Sequence, residues 1–108
     1  MEKINVENVK SQMRKGMLLI LSNKDEYPSS LISELKKADM IVVEGTLYPL
    51  LIRQKNQGLL TYRWEESPQG PPRKYYSITD KGRAQLQEMD SAWSEIVSTI
   101  EKIKNGQI

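Results

Sequence analysis

The stretch LLTYRWEESPQGPPRKYYSI, residues 59–78, decides how this chain folds. From Leu59 to Glu65 the side chains alternate, with Leu60, Tyr62 and Trp64 on one face and Thr61, Arg63 and Glu65 on the other. A period of two is the mark of a strand with one buried face. Ser67-Pro68-Gln69-Gly70-Pro71-Pro72 is dense in residues that break regular structure and reads as a turn. Arg73 to Ile78 forms the returning strand, with Tyr76 and Ile78 pointing inward. The region is therefore an antiparallel hairpin.

Three helices are expected before it. Val6, Val9, Met13, Met17, Ile20 and Leu21 recur at spacings of a helical face, so the first helix covers Val6 to Leu21. Ser22 to Glu26 is a polar loop. Pro28-Ser29-Ser30 opens a short second helix to about Ala38, burying Leu31, Ile32 and Leu35, with Ser29 or Ser30 as N-cap. The third helix runs from near Glu44 to the stop at Gly58, with Pro49 in its first turns, where a missing N–H costs least. After the hairpin, Thr79 caps a last helix running to about Lys104. Three helices, a hairpin and a final helix make an α+β fold, mostly helical: a winged helix-turn-helix. The expected organisation is a DNA-binding winged domain over residues 1–79 and a C-terminal dimerisation helix over residues 80–108.

Winding residues 45–57 at about 100° per residue separates two faces of the third helix. Leu47, Leu50, Leu51 and Gln54 share the face that belongs in the core. Pro49, Ile52, Arg53 and Asn56 share the opposite one, with Thr46 and Tyr48 beside it near the N-terminus. Arginine can bridge guanine O6 and N7, asparagine can pair with adenine, and an aliphatic group can meet the thymine methyl. A merely solvated face has no use for Ile52. At the hairpin, Arg73 and Lys74 suit phosphate or minor-groove contact, although cations also protect edge strands.

Charge points the same way. Residues 46–74 carry five basic and two acidic side chains, while the flanking segments are balanced or slightly acidic. The whole positive excess of the chain, +2, thus lies in its middle third, which suits a polyanion partner, although a solvated face can carry three extra charges by chance. Cysteine and histidine are both absent, which excludes the usual zinc sites, thiolate chemistry and histidine-based triads. No pair of acids stands where its acidity would be tuned. The expectation is a protein that is not an enzyme and needs no metal or cofactor. The longest apolar run, Met17 to Leu21, is far below the roughly 20 residues of a membrane span. No targeting pattern opens the sequence, so no membrane partner and a cytoplasmic location are expected.

In the last helix, Leu86, Met89, Trp93, Ile96, Ile100 and Ile103 are spaced 3, 4, 3, 4 and 3, the a/d seam of a helix that packs on another. A helix lying on its own domain shows the same stripe. The three-helix core already has its apolar faces, so a partner helix is the expected cover, joined by Val6, Val9 and Met13 of the first helix. The protein is then its own partner, as a homodimer. Trp93 reads either as ordinary buried core or as a wall of a ligand pocket on the seam, and the residues alone favour the core.

Val43-Glu44-Gly45-Thr46-Leu47-Tyr48-Pro49-Leu50-Leu51, Gly58-Leu59-Leu60, and Gly70-Pro71-Pro72-Arg73-Lys74-Tyr75-Tyr76-Ser77-Ile78-Thr79 together resemble the PadR-like transcriptional regulators, and the likeness runs from about Met13 to Trp93. The resemblance is to the compact branch with a single C-terminal helix. It implies a homodimeric repressor of duplex DNA on a palindromic operator, released by a small planar aromatic effector. It implies DNA roles for Thr46, Tyr48, Pro49 and Arg53, wing contacts for Arg73 and Lys74, and an effector-stacking role for Trp93. Position 54 departs from the family's usual buried leucine, and position 52 carries Ile where a small polar residue is usual. The alternative function is a winged-helix module that binds protein and no DNA.

Overall fold

Six elements follow in the expected order: α1 (Val6–Asn23), α2 (Pro28–Lys37), α3 (Glu44–Asn56), β1 (Leu60–Ser67), β2 (Gly70–Ile78) and α4 (Asp80–Lys104). This computed structural model describes residues 6–107, with side chains from Lys10 to Gln107. The core is built mostly from the first three helices. Met13, Met17, Leu18 and Leu21 of α1 meet Leu31 and Leu35 of α2 and Leu47, Leu50 and Leu51 of α3, with Leu60, Tyr76 and Leu86 closing the cluster. Each such side chain removed from water contributes about 1.5–3 kcal/mol before the entropy of ordering is subtracted.

The start of α2 differs from expectation. Tyr27 is the N-cap and Pro28 the first helical residue, so neither Ser29 nor Ser30 caps the helix. Proline's fixed φ and missing N–H suit the first position and place the start ahead of both serines. Ser30 instead donates to the Glu26 carboxylate and to the Tyr27 carbonyl. Pro49 lies in the first two turns of α3, as expected, but past the first four N–H groups, which have no helical partner in any case. It leaves the Gly45 carbonyl without a helical donor, and Gly45 is exposed to water.

Helix α3 stops as the glycine predicts. Gly58 takes φ +79, its N–H bonds to the Lys55 carbonyl at 3.0 Å, and the Leu59 N–H returns to the Gln54 carbonyl at 2.9 Å. These two bonds satisfy carbonyls that the helix end leaves open.

The hairpin is longer than its sequence pattern indicates. The register runs antiparallel from Leu60 opposite Ile78 to Glu65 opposite Arg73 and Ser67 opposite Gly70, with an irregularity between Glu65 and Ser67. The turn shrinks to Pro68 and Gln69, and Pro71 and Pro72 belong to β2. A two-stranded ribbon has edges on both sides, so prolines are tolerated there. The buried face also ends sooner than expected. Leu60 is buried and Tyr62 half-buried, but Trp64 is 61% exposed, because the wing projects past the core.

Thr79 caps α4, its hydroxyl oxygen accepting the Gly82 N–H at 3.0 Å. At Gly82 the helix lies against Leu59, just ahead of β1, so closely that a Cβ would fall 2.2 Å from the Leu59 carbonyl oxygen. Leu86 reaches the core and Met89 packs at its margin; beyond them every α4 side chain is exposed.

Candidate nucleic-acid interface

Helix α3 divides as its sequence indicates. Leu47, Leu50, Leu51 and Gln54 are buried. Tyr48, Pro49, Ile52, Arg53 and Asn56 are exposed, Ile52 by 56%, and Thr46 is half-buried beside them. Among the described residues Arg53 has no carboxylate within ion-pairing distance, so its guanidinium is open to an outside acceptor. The face thus presents a cation, an amide, a phenol and an aliphatic side chain on one rigid element. At the helix start, Lys36 pairs with Glu44 at 3.0 Å and fixes that carboxylate at the positive end of the helix dipole.

The two faces of the wing carry different chemistry. Tyr62, Trp64, Lys74 and Tyr76 share one face, which at its base joins the core near α3. The Lys74 ammonium lies 4.5 Å from the Tyr62 ring centre and 5.2 Å from that of Trp64. Lys55, from the last turn of α3, lies 5.7 Å from the same Tyr62 ring. On the opposite face, Arg63 bonds Asp25 at 2.5 Å and Glu65 at 2.8 Å. The Asp25 bond, then the Glu65 bond, raises the Arg63 pKa further. Arg73 stacks 4.5 Å above Tyr27, whose ring meets Tyr75 edge-on at 5.4 Å.

The structure therefore brings Lys74 together with the exposed end of α3 and sends Arg73 the other way. Strand parity carries that signal, since neighbours in a strand point to opposite faces; grouping the two cations by sequence adjacency overlooks it. Lys55 is absent from the residues singled out by sequence, because a helical wheel does not show that the wing folds over the end of α3.

The expected dimer seam splits in two. Met13 and Leu86 are buried in the chain's own core and Met89 packs against its edge. Trp93, Ile96, Ile100 and Ile103 are exposed, Trp93 by 60%. Val6 and Val9 lie outside the residues whose side chains are described. Between α1 and α4 runs an open groove of about 580 Å³ lined by Lys15, Leu19, Met40, Met89, Trp93 and Ile96, among others. The Lys15 ammonium stands 5.6 Å from the centre of the Trp93 ring and 3.0 Å from the Asp90 carboxylate. Among the described residues, no acidic cluster could hold a metal ion, and no helix is long and apolar enough to cross a membrane.

A winged fold with an exposed α3 face is matched by likeness to known proteins. The family model for the PadR-like transcriptional regulators matches residues 17–88. The chain belongs to that family. A solved PadR-like transcription factor from Bacteroides fragilis is 54% identical, over 89% of this chain and 98% of that one, with a TM-score of 0.73. A PadR-like regulator from Bacillus cereus is 35% identical over 90% of this chain and 95% of its own, with a TM-score of 0.78. An uncharacterised protein of Lysinibacillus sphaericus is 27% identical over 93 residues, 83% of this chain and 85% of that one. PadR-like proteins are transcriptional regulators and not enzymes, which agrees with a sequence free of cysteine and histidine. The winged helix-turn-helix expected from the hairpin is the family's fold.

Proposed function

We propose that this PadR-like regulator is a cytoplasmic repressor that binds a palindromic operator in duplex DNA as a homodimer. The observation that carries the reading is the exposed face of α3, where Tyr48, Ile52, Arg53 and Asn56 stand on a helix anchored by three buried leucines. In this reading residues 1–79 are the DNA-binding domain and residues 80–108 the dimerisation helix. Thr46, Tyr48, Pro49, Ile52, Arg53 and Asn56 meet the major groove, and Lys74 and Arg73 meet the backbone from the two sides of the wing.

The dimer is supported by the stripe Trp93, Ile96, Ile100 and Ile103, which one chain leaves in water. A row of half-exposed apolar side chains on a 25-residue helix calls for a partner. Val6 and Val9 join it in the proposed interface, with Met13, Leu86 and Met89 as its inner support. An isologous two-fold pairing is the usual solution, and it sets two α3 helices into grooves about 10 bp apart, or a multiple. Release by a planar aromatic effector is supported by the groove beside Trp93. Its indole already holds the Lys15 ammonium, so its face accepts cations.

Selection of bound duplexes from a random pool tests the function. A palindrome supports a dimeric repressor; recovery of no duplex favours the protein-binding module. Ile96→Asp sets a charge in the seam, and sedimentation should then find monomer or unfolded chain; a folded dimer would remove the seam. Fluorescence titration of Trp93 with planar aromatic cations, in a Trp64→Phe background, tests the effector site. Absence of quenching in a dimer that still binds DNA leaves a repressor without that pocket.

A further inference from the structure

We propose that Lys55 and Lys74, gathered over Tyr62 with Trp64 beside them, form a clamp for DNA-backbone phosphates in the corner between α3 and the wing. The inference rests on the DNA-binding reading and adds three residues to it, Lys55, Tyr62 and Trp64.

Three observations converge on this corner. The two lysines come from different elements, the last turn of α3 and strand β2, yet both ammonium groups lie against one ring, at 5.7 Å and 4.5 Å from its centre. Among the described residues neither has a carboxylate within ion-pairing distance, whereas Lys15, Lys36, Lys37 and Arg63 are all paired. Lastly, Trp64 is the outermost aromatic of the wing face that faces α3, and it is left largely in water.

The chemistry fits a phosphate. A ring face holds an ammonium group in place and leaves free the N–H donors that point away from the ring. Those donors then remain for anionic oxygens. A phosphate near the C-terminal end of α3 meets the negative end of the helix dipole, and Lys55 in that last turn offsets the repulsion. Trp64 packs against the Lys74 ammonium and narrows the range of positions it can take. A duplex laid along the exposed face of α3 brings its backbone into this corner as the strand leaves the major groove. Tyr62 and Trp64 act here as positioning residues and the two lysines as the contacts.

The salt dependence of binding tests this, measured by fluorescence anisotropy on a duplex selected from a random pool and on a random-sequence duplex. A phosphate contact contributes about 0.9 to the slope of log K against log salt. Lys55→Ala and Lys74→Ala should each flatten the slope by about 0.9 on both duplexes, and the double variant by twice that amount. Lys55→Arg should keep the slope, and Lys102→Ala, an equal charge loss at the far end of α4, should not change it. Tyr62→Leu should flatten the slope and Tyr62→Phe restore it, an outcome that a purely structural tyrosine does not give. If wild type binds and Lys55→Ala keeps the full slope at an unchanged melting temperature, the clamp is wrong and the DNA-binding reading stands. If wild type binds neither duplex, both fall.

Discussion

Glu26 and Tyr76 exchange two backbone hydrogen bonds: the Tyr76 N–H donates to the Glu26 carbonyl at 2.8 Å, and the Glu26 N–H to the Tyr76 carbonyl at 3.2 Å. The loop between α1 and α2 thereby adds a one-residue third strand to the wing. The Asp25–Arg63 ion pair and the Arg73–Tyr27 stack reinforce the same seam. The wing is thus fixed to the loop between α1 and α2 as far out as the Glu65–Arg73 pair, and only its tip beyond that pair projects past these contacts.

Tyr76 also links this seam to pH. Burial, with a smaller contribution from Tyr62, raises its phenol above the usual value near 10. On raising the pH, the unfolded chain loses this proton first. The stabilisation is therefore complete below about pH 10 and declines as pH climbs through the folded-state value. Tyr76→Phe should flatten that alkaline decline, as read from urea unfolding across the range. An unchanged decline would assign it to other groups.

Gln54 is 1% exposed, and among the described residues neither its Nε2 nor its Oε1 has a hydrogen-bond partner. Burying an amide unpaired costs about 1–3 kcal/mol. Gln54→Leu, of similar volume, should recover much of that and raise the urea midpoint with the same m-value. A lower midpoint would mean the amide finds a partner in solution.

Gly82 has no room for a methyl group, because the Leu59 backbone carbonyl, which no side-chain rotation can clear, stands 2.2 Å from a Cβ, with Ile78 Cγ1 at 2.7 Å. Gly82→Ala should destabilise the fold by about 3 kcal/mol or more, since backbone must shift. Gly70→Ala is the control: among the described residues nothing lies within 4 Å of a Cβ there, and thermal unfolding should hardly change.

Arg73 and Lys74 should separate in binding. Arg73 is occupied by the Tyr27 ring on the face away from α3, whereas Lys74 lies on the face toward it. Arg73→Ala should weaken DNA binding less than Lys74→Ala in the same titration. Equal losses would mean that the stack on Tyr27 does not hold Arg73 back from the duplex.

Much of this was legible in the sequence wherever burial imposed a period. The apolar spacing of α1 and α3 gives both helices within about two residues; Gly58 marks the end of α3 and Thr79 the start of α4, because backbone geometry and capping demand them. The pattern misleads where burial stops. Trp64 keeps the parity of Leu60 and Tyr62 but has no core beneath it. Pro71 and Pro72 look like turn residues, yet an edge strand accepts them. At α2, proline overrides the serines. The site itself was half legible: the α3 face follows from one helix, but the meeting of Lys55 with Lys74 depends on how two elements cross, which no local spacing encodes.

The corner where α3 meets α4 has a mechanical consequence. Thr79 donates its hydroxyl to the Gly58 carbonyl at 2.6 Å, Lys81 donates to the Gln57 carbonyl at 2.8 Å, and the Thr79 N–H reaches the Leu59 carbonyl at 3.0 Å. With Gly82 seated on Leu59, these bonds weld the end of one helix to the start of the next. In the proposed pair, the two reading helices become the tips of a caliper whose arms are the α4 helices. Its opening is set wherever those arms cross. A small shear between them reaches the DNA as a change of gauge, with no slack in the joint to absorb it.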